Sequence, residues 1–331
     1  MDKYLLVDNG GTQIKYALAY EDGSIIENDY FDTPSKELPN AFDLYFEGID
    51  QVIDKYKGQD IKGVAISCPG RIADDGICLD AGALPYLINK NLVLEFKNRY
   101  NLKASIENDA KCAALAELVS GSLKGCKNGM VITIGTGLGG GIISNGKLYK
   151  GSNYCSGEIS VIPMDMYNFY DEKNNACALI STKSLITMIA NALELDSKDM
   201  NGKDAFEYIN NEDPRALNAL EKFCDYVGQL IYSIQIILDC EAYAIGGGIS
   251  AQPKLIEYID KSTQKAFSVP WICEPGGQPA VVRPRVVACK YMNDANLLGA
   301  LYDFLNKYHI NNNEEISNSW FSNTFKSNHN W

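Results

Sequence analysis

The residues LLVDNGGTQIKYAL, at positions 5–18, decide the predicted fold. A short apolar run ends in an acid, a glycine pair follows, and a second β-type stretch begins at Ile14. This order predicts two strands joined by a glycine turn. A turn signal at 21–24 and a further β-type stretch at 24–31 extend the hairpin to a three-stranded meander.

The same pattern returns at positions 131–144 as VITIGTGLGGGIIS, again a strand, a glycine turn and a strand. Such an echo predicts an internally duplicated α/β fold with two lobes and a central cleft that both turns face. Apolar periodicity predicts the other elements. The predicted helices are 38–56, 92–100, 109–118, 184–193, 205–209, 214–238, 254–267 and 294–308, and the predicted strands are 64–67, 104–106, 243–245 and 281–288.

The expected domain division follows the two copies of this pattern. An N-terminal lobe at 1–113 is completed by the C-terminal helix at 294–308, and a larger lobe occupies 114–293. Residues 309–331 are rich in Asn and Ser, which predicts a tail that is poorly ordered.

Composition excludes several classes of protein. The 331 residues carry a formal net charge of −12, which repels phosphodiester backbones, so we expect no nucleic-acid partner. No stretch approaches the roughly 20 apolar residues of a membrane helix, and the opening residues do not resemble a signal peptide. The ten cysteines are scattered without a CxxC pair, as expected for free thiols in a reducing compartment. These features predict a cytoplasmic protein without a membrane partner.

Three glycine-rich turns are candidates for binding phosphate or a nucleotide. In the first, Asp8 can hold Mg²⁺, while the glycines and Thr12 bring N–H and hydroxyl donors close to phosphate oxygens. The second, GTGLGGG at 135–141, continues as a strand and therefore is not a dinucleotide-binding fingerprint. The third, GGG at 246–248, would admit a flat nucleotide moiety against the backbone. Taken alone, each turn is also compatible with an ordinary hairpin or strand–helix turn.

Two further positions carry candidate polar groups. Asn108-Asp109 lies where a strand meets a helix, and the helix dipole there favours an ionised Asp109 that can act as a base. Simple N-capping by either residue is the alternative. Glu158, which follows Gly157, can accept hydrogen bonds from substrate hydroxyls or be a solvated surface acid.

Together these motifs resemble the ROK family of bacterial sugar kinases and sugar-responsive repressors. The resemblance extends over about residues 4–308, with the motifs in order and at compatible spacing. The segments that carry it are DNGGTQIK at 8–15, SCPG at 67–70, AGAL at 81–84, ENDAKCAALAE at 107–117, TIGTGLGGGIISNG at 133–146, SGEIS at 156–160 and IGGGIS at 245–250.

The resemblance implies an actin-like, hexokinase-type fold related to ribonuclease H, ATP as the phosphoryl donor and Mg²⁺ as the cofactor. It implies that Asp109 receives the proton of a sugar hydroxyl. The residues implied at the sugar are Gly70, Gly82, Asn108, Asp109 and Glu158. The residues implied at the nucleotide and metal are Asp8, which holds Mg²⁺ directly or through water, with Gly10, Gly11, Thr12, Lys15, Gly135, Thr136, Gly137, Gly139, Gly247 and Gly248.

One departure from the family pattern concerns a structural zinc. Many ROK proteins bind zinc through the His of GEIGH and three cysteines that follow it. Here Val161 replaces the His, and only Cys177 lies in the matching stretch. One thiol cannot form a tetrahedral site, so we expect no zinc. In the family that His also contacts the sugar, and the resemblance therefore leaves the acceptor open.

The favoured function is an ATP-dependent kinase for a hydroxyl of glucose or a β-glucoside, with the 6-hydroxyl first, because zinc-free family members include β-glucoside kinases. The alternative acceptor is N-acetylmannosamine or another amino sugar, which another zinc-free branch uses. A sugar-binding sensor without catalysis is the alternative of a different class. A repressor is not expected, because the chain opens on a strand rather than a helix-turn-helix. The resemblance also implies a homodimer.

Overall fold

The computed structural model describes residues 1–268 and 280–309. Nearly all of the predicted tail, from residue 310 to 331, lies outside the described residues. Contacts divide the described residues into two compact units: the first comprises 1–120, 151–155 and 294–309, and the second comprises 121–150, 156–268 and 280–293. No helix in the described part of the chain is long and apolar enough to cross a membrane.

Strands and α-helices alternate through most of the described chain. The strands are β1 (Lys3–Asn9), β2 (Gln13–Tyr20), β3 (Ile25–Asp32), β4 (Ile61–Cys68), β5 (Ala104–Asn108), β6 (Gly129–Ile134), β7 (Leu138–Ser144), β8 (Lys147–Tyr149), β9 (Ala242–Gly246) and β10 (Arg285–Ala288). The α-helices are α1 (Ala41–Lys55), α2 (Leu92–Tyr100), α3 (Asp109–Ser120), α4 (Ala176–Leu179), α5 (Thr182–Leu193), α6 (Gly202–Asn210), α7 (Pro214–Leu238), α8 (Pro253–Ala266) and α9 (Ala295–His309).

The two units contain sheets of the same topology. The first sheet has the order β3-β2-β1-β4-β5, and the second has the order β8-β7-β6-β9-β10. In both sheets the first two pairings are antiparallel and the last two are parallel. The hairpins that open the two sheets, β1-β2 and β6-β7, contain the two glycine turns of the sequence echo. The predicted duplication is therefore present at the level of strand order and strand direction.

The local sequence explains several boundaries of the elements. Pro214 occupies the first turn of α7, where a missing N–H costs nothing, and the Asp213 side chain accepts a hydrogen bond from the Arg215 backbone. The side chain of Asn91 caps α2 in the same way by accepting from Leu94 N. Both helices have the bounds that periodicity predicts.

One predicted strand is shorter than expected. Apolar character predicts a strand from Val281 to Ala288, but β10 begins only at Arg285. Pro284 immediately precedes β10, and proline has no N–H to donate to the neighbouring strand. Ladder pairing with β9 therefore starts after the proline, at Arg285 opposite Ala242.

Close packing of α3 against α9 depends on Gly299. A Cβ atom at this position would lie 1.8 Å from the backbone oxygen of Cys112. We expect Gly299→Ala to lower the free energy of unfolding by about 1–3 kcal/mol or more, because the backbone of α3 would have to move. Urea unfolding measures this loss. Gly202→Ala is the control, since a Cβ there meets no atom within 4 Å, and an equal loss in both proteins would contradict the prediction.

Candidate active site

The first glycine turn places a buried carboxylate at the end of β1. Asp8 is 8% exposed, and its Oδ1 accepts a hydrogen bond from Nδ2 of Asn296 at 3.2 Å. Burial raises the pKa of Asp8 above its ordinary value, while the Asn296 hydrogen bond and the charge of Lys15, directly opposite on β2, act against this shift. In the described residues Asp8 makes no salt bridge. A buried carboxylate without an ion-pair partner at the end of a strand suits a site that binds a cation.

The turn that follows Asp8 is held from outside the hairpin. Thr33 donates its hydroxyl to the carbonyl oxygen of Gly10 at 2.7 Å and its backbone N–H to that of Thr12 at 3.0 Å. Gly11 and Thr12 are exposed. The neighbouring Asn9 is 2% exposed, and neither polar atom of its side chain has a hydrogen-bond partner in the described residues.

Asn108 caps the helix that begins with Asp109. Its Oδ1 accepts from the backbone N–H of Lys111 at 3.1 Å, and its Nδ2 donates to the carbonyl oxygen of Gly70 at 2.9 Å. The capping alternative considered for this pair therefore applies to Asn108. The Asp109 carboxylate is partly exposed at the helix start and accepts from Ala110 N at 2.7 Å. The N-terminal dipole of α3 favours its ionised form.

Three close contacts place the two glycines predicted at the sugar near the first turn. Gly70 has φ +88°, and a Cβ added to it would lie 2.3 Å from the carbonyl oxygen of Asp80. A Cβ at Gly82 would lie 3.3 Å from Pro69, and one at Gly11 would lie 3.0 Å from the Cβ of Ala83. The first unit therefore gathers the Asp8–Thr12 turn, Gly70, Gly82, Asn108 and Asp109 into one region.

The second unit gathers the other predicted nucleotide residues. Gly135 donates its N–H to Gly137 O at 2.9 Å and accepts from Thr182 N at 2.9 Å, which fixes the turn between β6 and β7. Gly247 has φ +93°, and an added Cβ would lie 2.1 Å from Ile134 O, so the third glycine turn packs directly against the end of β6. Thr136 is exposed within the turn, and Gly139 lies in β7 opposite Thr133 of β6. Glu158, the fifth residue predicted at the sugar, is half-buried and follows Gly157, whose φ is +86°.

Two of these glycines face open space. A Cβ atom at Gly135 or at Gly248 would meet no atom within 4 Å. The fold therefore does not require glycine at either position. The open space beside each backbone suits a close approach of a phosphate, which is the use expected of such glycines.

We expect Gly135→Ala to raise the KM for ATP while leaving thermal stability unchanged. The added methyl group has room in the protein but would occupy the space of a phosphate held against the backbone. The size of the change is expected to be about tenfold, equivalent to 1.4 kcal/mol. Steady-state kinetics measures it, and Gly202→Ala, which also adds a methyl group to open space, is the control. An unchanged KM would remove Gly135 from the nucleotide site.

One residue beside Asp8 escaped prediction from the sequence. Asn296 bonds to Asp8 from a position 288 residues away, and no local pattern marks it. Cys177 is half-buried, and its sulfur lies 4.0 Å from the position of a Cβ added at Gly137. In the described ranges, no three His, Cys, Asp or Glu side chains are grouped to hold a metal ion. The predicted absence of zinc stays a prediction.

Comparisons with known proteins identify relatives along nearly the whole chain. A model of the ROK family matches residues 4–306. The chain is 27% identical over 312 residues to a β-glucoside kinase of Listeria innocua, covering 92% of this chain and 97% of that protein. It is 29% identical over 297 residues to a glucokinase of Halalkalibacterium halodurans, with coverages of 82% and 88%. It is 27% identical over 303 residues to an N-acetylmannosamine kinase of Escherichia coli O1:K1, with coverages of 89% and 96%.

Solved structures agree with these sequence matches. A ROK family protein from Streptococcus pneumoniae TIGR4, in complex with sucrose, has a TM-score of 0.79 at 28% identity, covering 93% of this chain and 99% of that one. A ROK family glucokinase from Streptomyces griseus, in complex with glucose and AMPPNP, has a TM-score of 0.75 at 24% identity, with coverages of 92% and 99%. The second likeness shows the fold alone.

Proposed function

The chain belongs to the ROK family, and on that premise we propose that it is a sugar kinase that transfers the γ-phosphoryl group of ATP to a sugar hydroxyl. The observation that carries this proposal is the Asp109 carboxylate at the start of α3, beside the Asn108–Gly70 hydrogen bond and the first glycine turn. A positioned carboxylate and a turn lined with N–H donors are two of the parts that phosphoryl transfer to an alcohol uses.

Asp109 acts as the general base in this proposal. The sugar oxygen forms a bond to the γ-phosphorus while the bond between that phosphorus and the β,γ-bridging oxygen breaks, and ADP leaves. The hydroxyl proton passes to the Asp109 carboxylate. A free Asp has a pKa of about 3.9, far below that of an alcohol, so the proton moves late, when the oxygen has already begun to bond phosphorus. Most of the rate acceleration in this proposal comes from holding the hydroxyl in line with the γ-phosphorus.

The nucleotide and its metal are assigned to the glycine turns. We assign the phosphates to the backbone at Gly10–Thr12 and Gly135–Gly137, with Lys15 and Gly139 beside these turns, and the adenosine to Gly247 and Gly248. Asp8 would hold Mg²⁺ directly or through water, which suits its buried carboxylate. When bound, Mg²⁺ would neutralise part of the negative charge of the phosphates.

Glucose or a β-glucoside is proposed as the acceptor, with the 6-hydroxyl as the site of transfer. Support comes from Val161 and from the single Cys177, which depart from the zinc-binding pattern, and from the relatives named β-glucoside kinase and glucokinase. N-acetylmannosamine or another amino sugar is the second candidate, favoured by the relative of that name. We assign the sugar hydroxyls to Asn108 and Glu158 and the ring to Gly70 and Gly82. A homodimer and a cytoplasmic location remain part of the proposal.

Coupled ADP release tests this function. The protein is incubated with Mg-ATP and a panel of glucose, cellobiose, gentiobiose, N-acetylmannosamine, N-acetylglucosamine, mannose and fructose. Turnover that depends on glucose or a β-glucoside supports the first acceptor, and turnover with an amino sugar selects the second. If no sugar in the panel stimulates ADP release while sugars still raise the melting temperature, the chain is a sensor rather than a kinase.

A further inference from the structure

Lys111 is a buried cation that the proposed chemistry does not use. It lies on α3 two residues after Asp109, and its side chain is 0% exposed. Lysine is almost never buried to this extent without a specific partner, because its ammonium group loses water. Here Nζ donates a hydrogen bond to the carbonyl oxygen of Tyr154 at 3.2 Å.

Tyr154 belongs to a short segment, Gly151–Cys155, that we call the strap. The strap belongs to the first unit, although residues 150 and 156 on either side of it belong to the second. Tyr154 has φ +60°, a left-handed conformation that a bulky residue adopts at a cost and keeps only when its surroundings hold it. The ammonium of Lys111 is such a support, since it bonds the carbonyl of this same residue.

The strap has a second cationic contact from the sugar side of the first unit. Nη1 of Arg71 lies 3.6 Å from Sγ of Cys155, and Arg71 directly follows Gly70. The same sugar-side group includes Asn108, whose amide joins Lys111 N to Gly70 O. These two contacts to the strap come from residues beside the predicted sugar ligands.

We propose that Lys111 is a positioning residue for the sugar, which fixes the strap to the helix that carries Asp109. The strap presents Ser152 and Asn153 as exposed polar residues, and its chain continues to Glu158 three residues beyond Cys155. In this proposal Lys111 acts through the strap, by its hydrogen bond to the carbonyl oxygen of Tyr154. This inference rests on the proposed function and adds a determinant of sugar affinity to it.

The test compares Lys111→Met with Lys111→Arg. Met keeps an unbranched side chain one atom shorter and removes the donor, whereas Arg keeps a cationic donor. We expect Lys111→Met to raise the KM for the sugar about tenfold, the size of effect that loss of one charge-assisted hydrogen bond gives, with the KM for ATP unchanged. Lys111→Arg is expected to recover most of the sugar affinity. Cys112→Ala, a buried change on the same helix without a polar contact to the strap, controls for loss of stability alone.

Cys155 provides a readout that does not depend on activity. Within residues 1–268 and 280–309 it is the one exposed cysteine, so its alkylation by iodoacetamide can be followed by peptide mass spectrometry. We expect Lys111→Met to speed this alkylation several-fold and Cys112→Ala to leave it unchanged, because only the first variant releases the strap.

The outcomes separate this inference from the proposed function. The inference would be overturned, and the proposed function kept, if the wild type shows sugar-dependent turnover but Lys111→Met has the same sugar KM as Cys112→Ala. Faster alkylation without a change in sugar KM would also overturn it. Absence of turnover in the wild type would instead overturn the proposed function, and the sugar role of Lys111 with it. If Lys111→Met does not fold, the inference stands only if Arg71→Gln raises both the KM for the sugar and the rate of Cys155 alkylation.

Discussion

An Asp109→Asn protein is expected to lose roughly 10²–10⁴-fold in kcat for sugar-dependent ADP release, the range typical for loss of a general base. Asn keeps the Oδ1 acceptor that bonds Ala110 N, and Asn108 continues to cap α3. The helix therefore retains its start, and thermal stability should change little. The KM for the sugar should change far less than kcat, because the proton is transferred only in the transition state.

Asp43→Asn is the matched control for this experiment. Asp43 is an exposed acid in the first turn of α1, so the substitution makes the same change of charge at a helix start. Its kcat is expected to equal that of the wild type. An Asp109→Asn protein with near-normal kcat would show that another group, or water, receives the hydroxyl proton, and the assignment of the base would then be wrong.

The strand core and the glycine turns could be predicted because their signals are local. A buried strand needs a short run of apolar residues, and Tyr4–Val7 lies entirely within β1. Gly247 and Gly157 have positive φ values and no room for a side chain, so the backbone itself demands glycine. The predicted ROK family, actin-like α/β fold class and kinase class are confirmed.

The remaining features depend on contacts between distant parts of the chain. The hydrogen bond from Asn296 to Asp8 joins α9 to β1. An Asn near a helix start does not show in the sequence which distant residue it will bond. Lys111 lies in an Ala-rich helix, and the helical pattern there gives no indication that its side chain bonds the carbonyl oxygen of Tyr154. Pro284 shortens a strand whose apolar content predicted a longer one, because ladder pairing also needs an N–H at each bonding position. The roles of the individual site residues stay predictions.

Asp8→Asn is expected to separate activity from stability. Loss of one group that stabilises transition-state charge typically costs 10²–10³-fold in kcat, and we expect roughly this loss in ADP release. The melting temperature, in contrast, should stay the same or rise. Burial raises the folded-state pKa of Asp8 above the unfolded value, so at neutral pH its ionised carboxylate destabilises the native state relative to a neutral group of the same shape.

Asp213→Asn gives the opposite pattern and serves as the control. The hydrogen bond from Arg215 lowers the pKa of Asp213 to about 2, so its charge favours the native state and its loss should lower the melting temperature slightly without affecting kcat. Scanning calorimetry and coupled ADP release on the two variants measure both quantities. An active Asp8→Asn protein would mean that Mg²⁺ is held elsewhere. An inactive one with a markedly lower melting temperature would mean that the carboxylate serves the fold, through its bond to Asn296, rather than the metal.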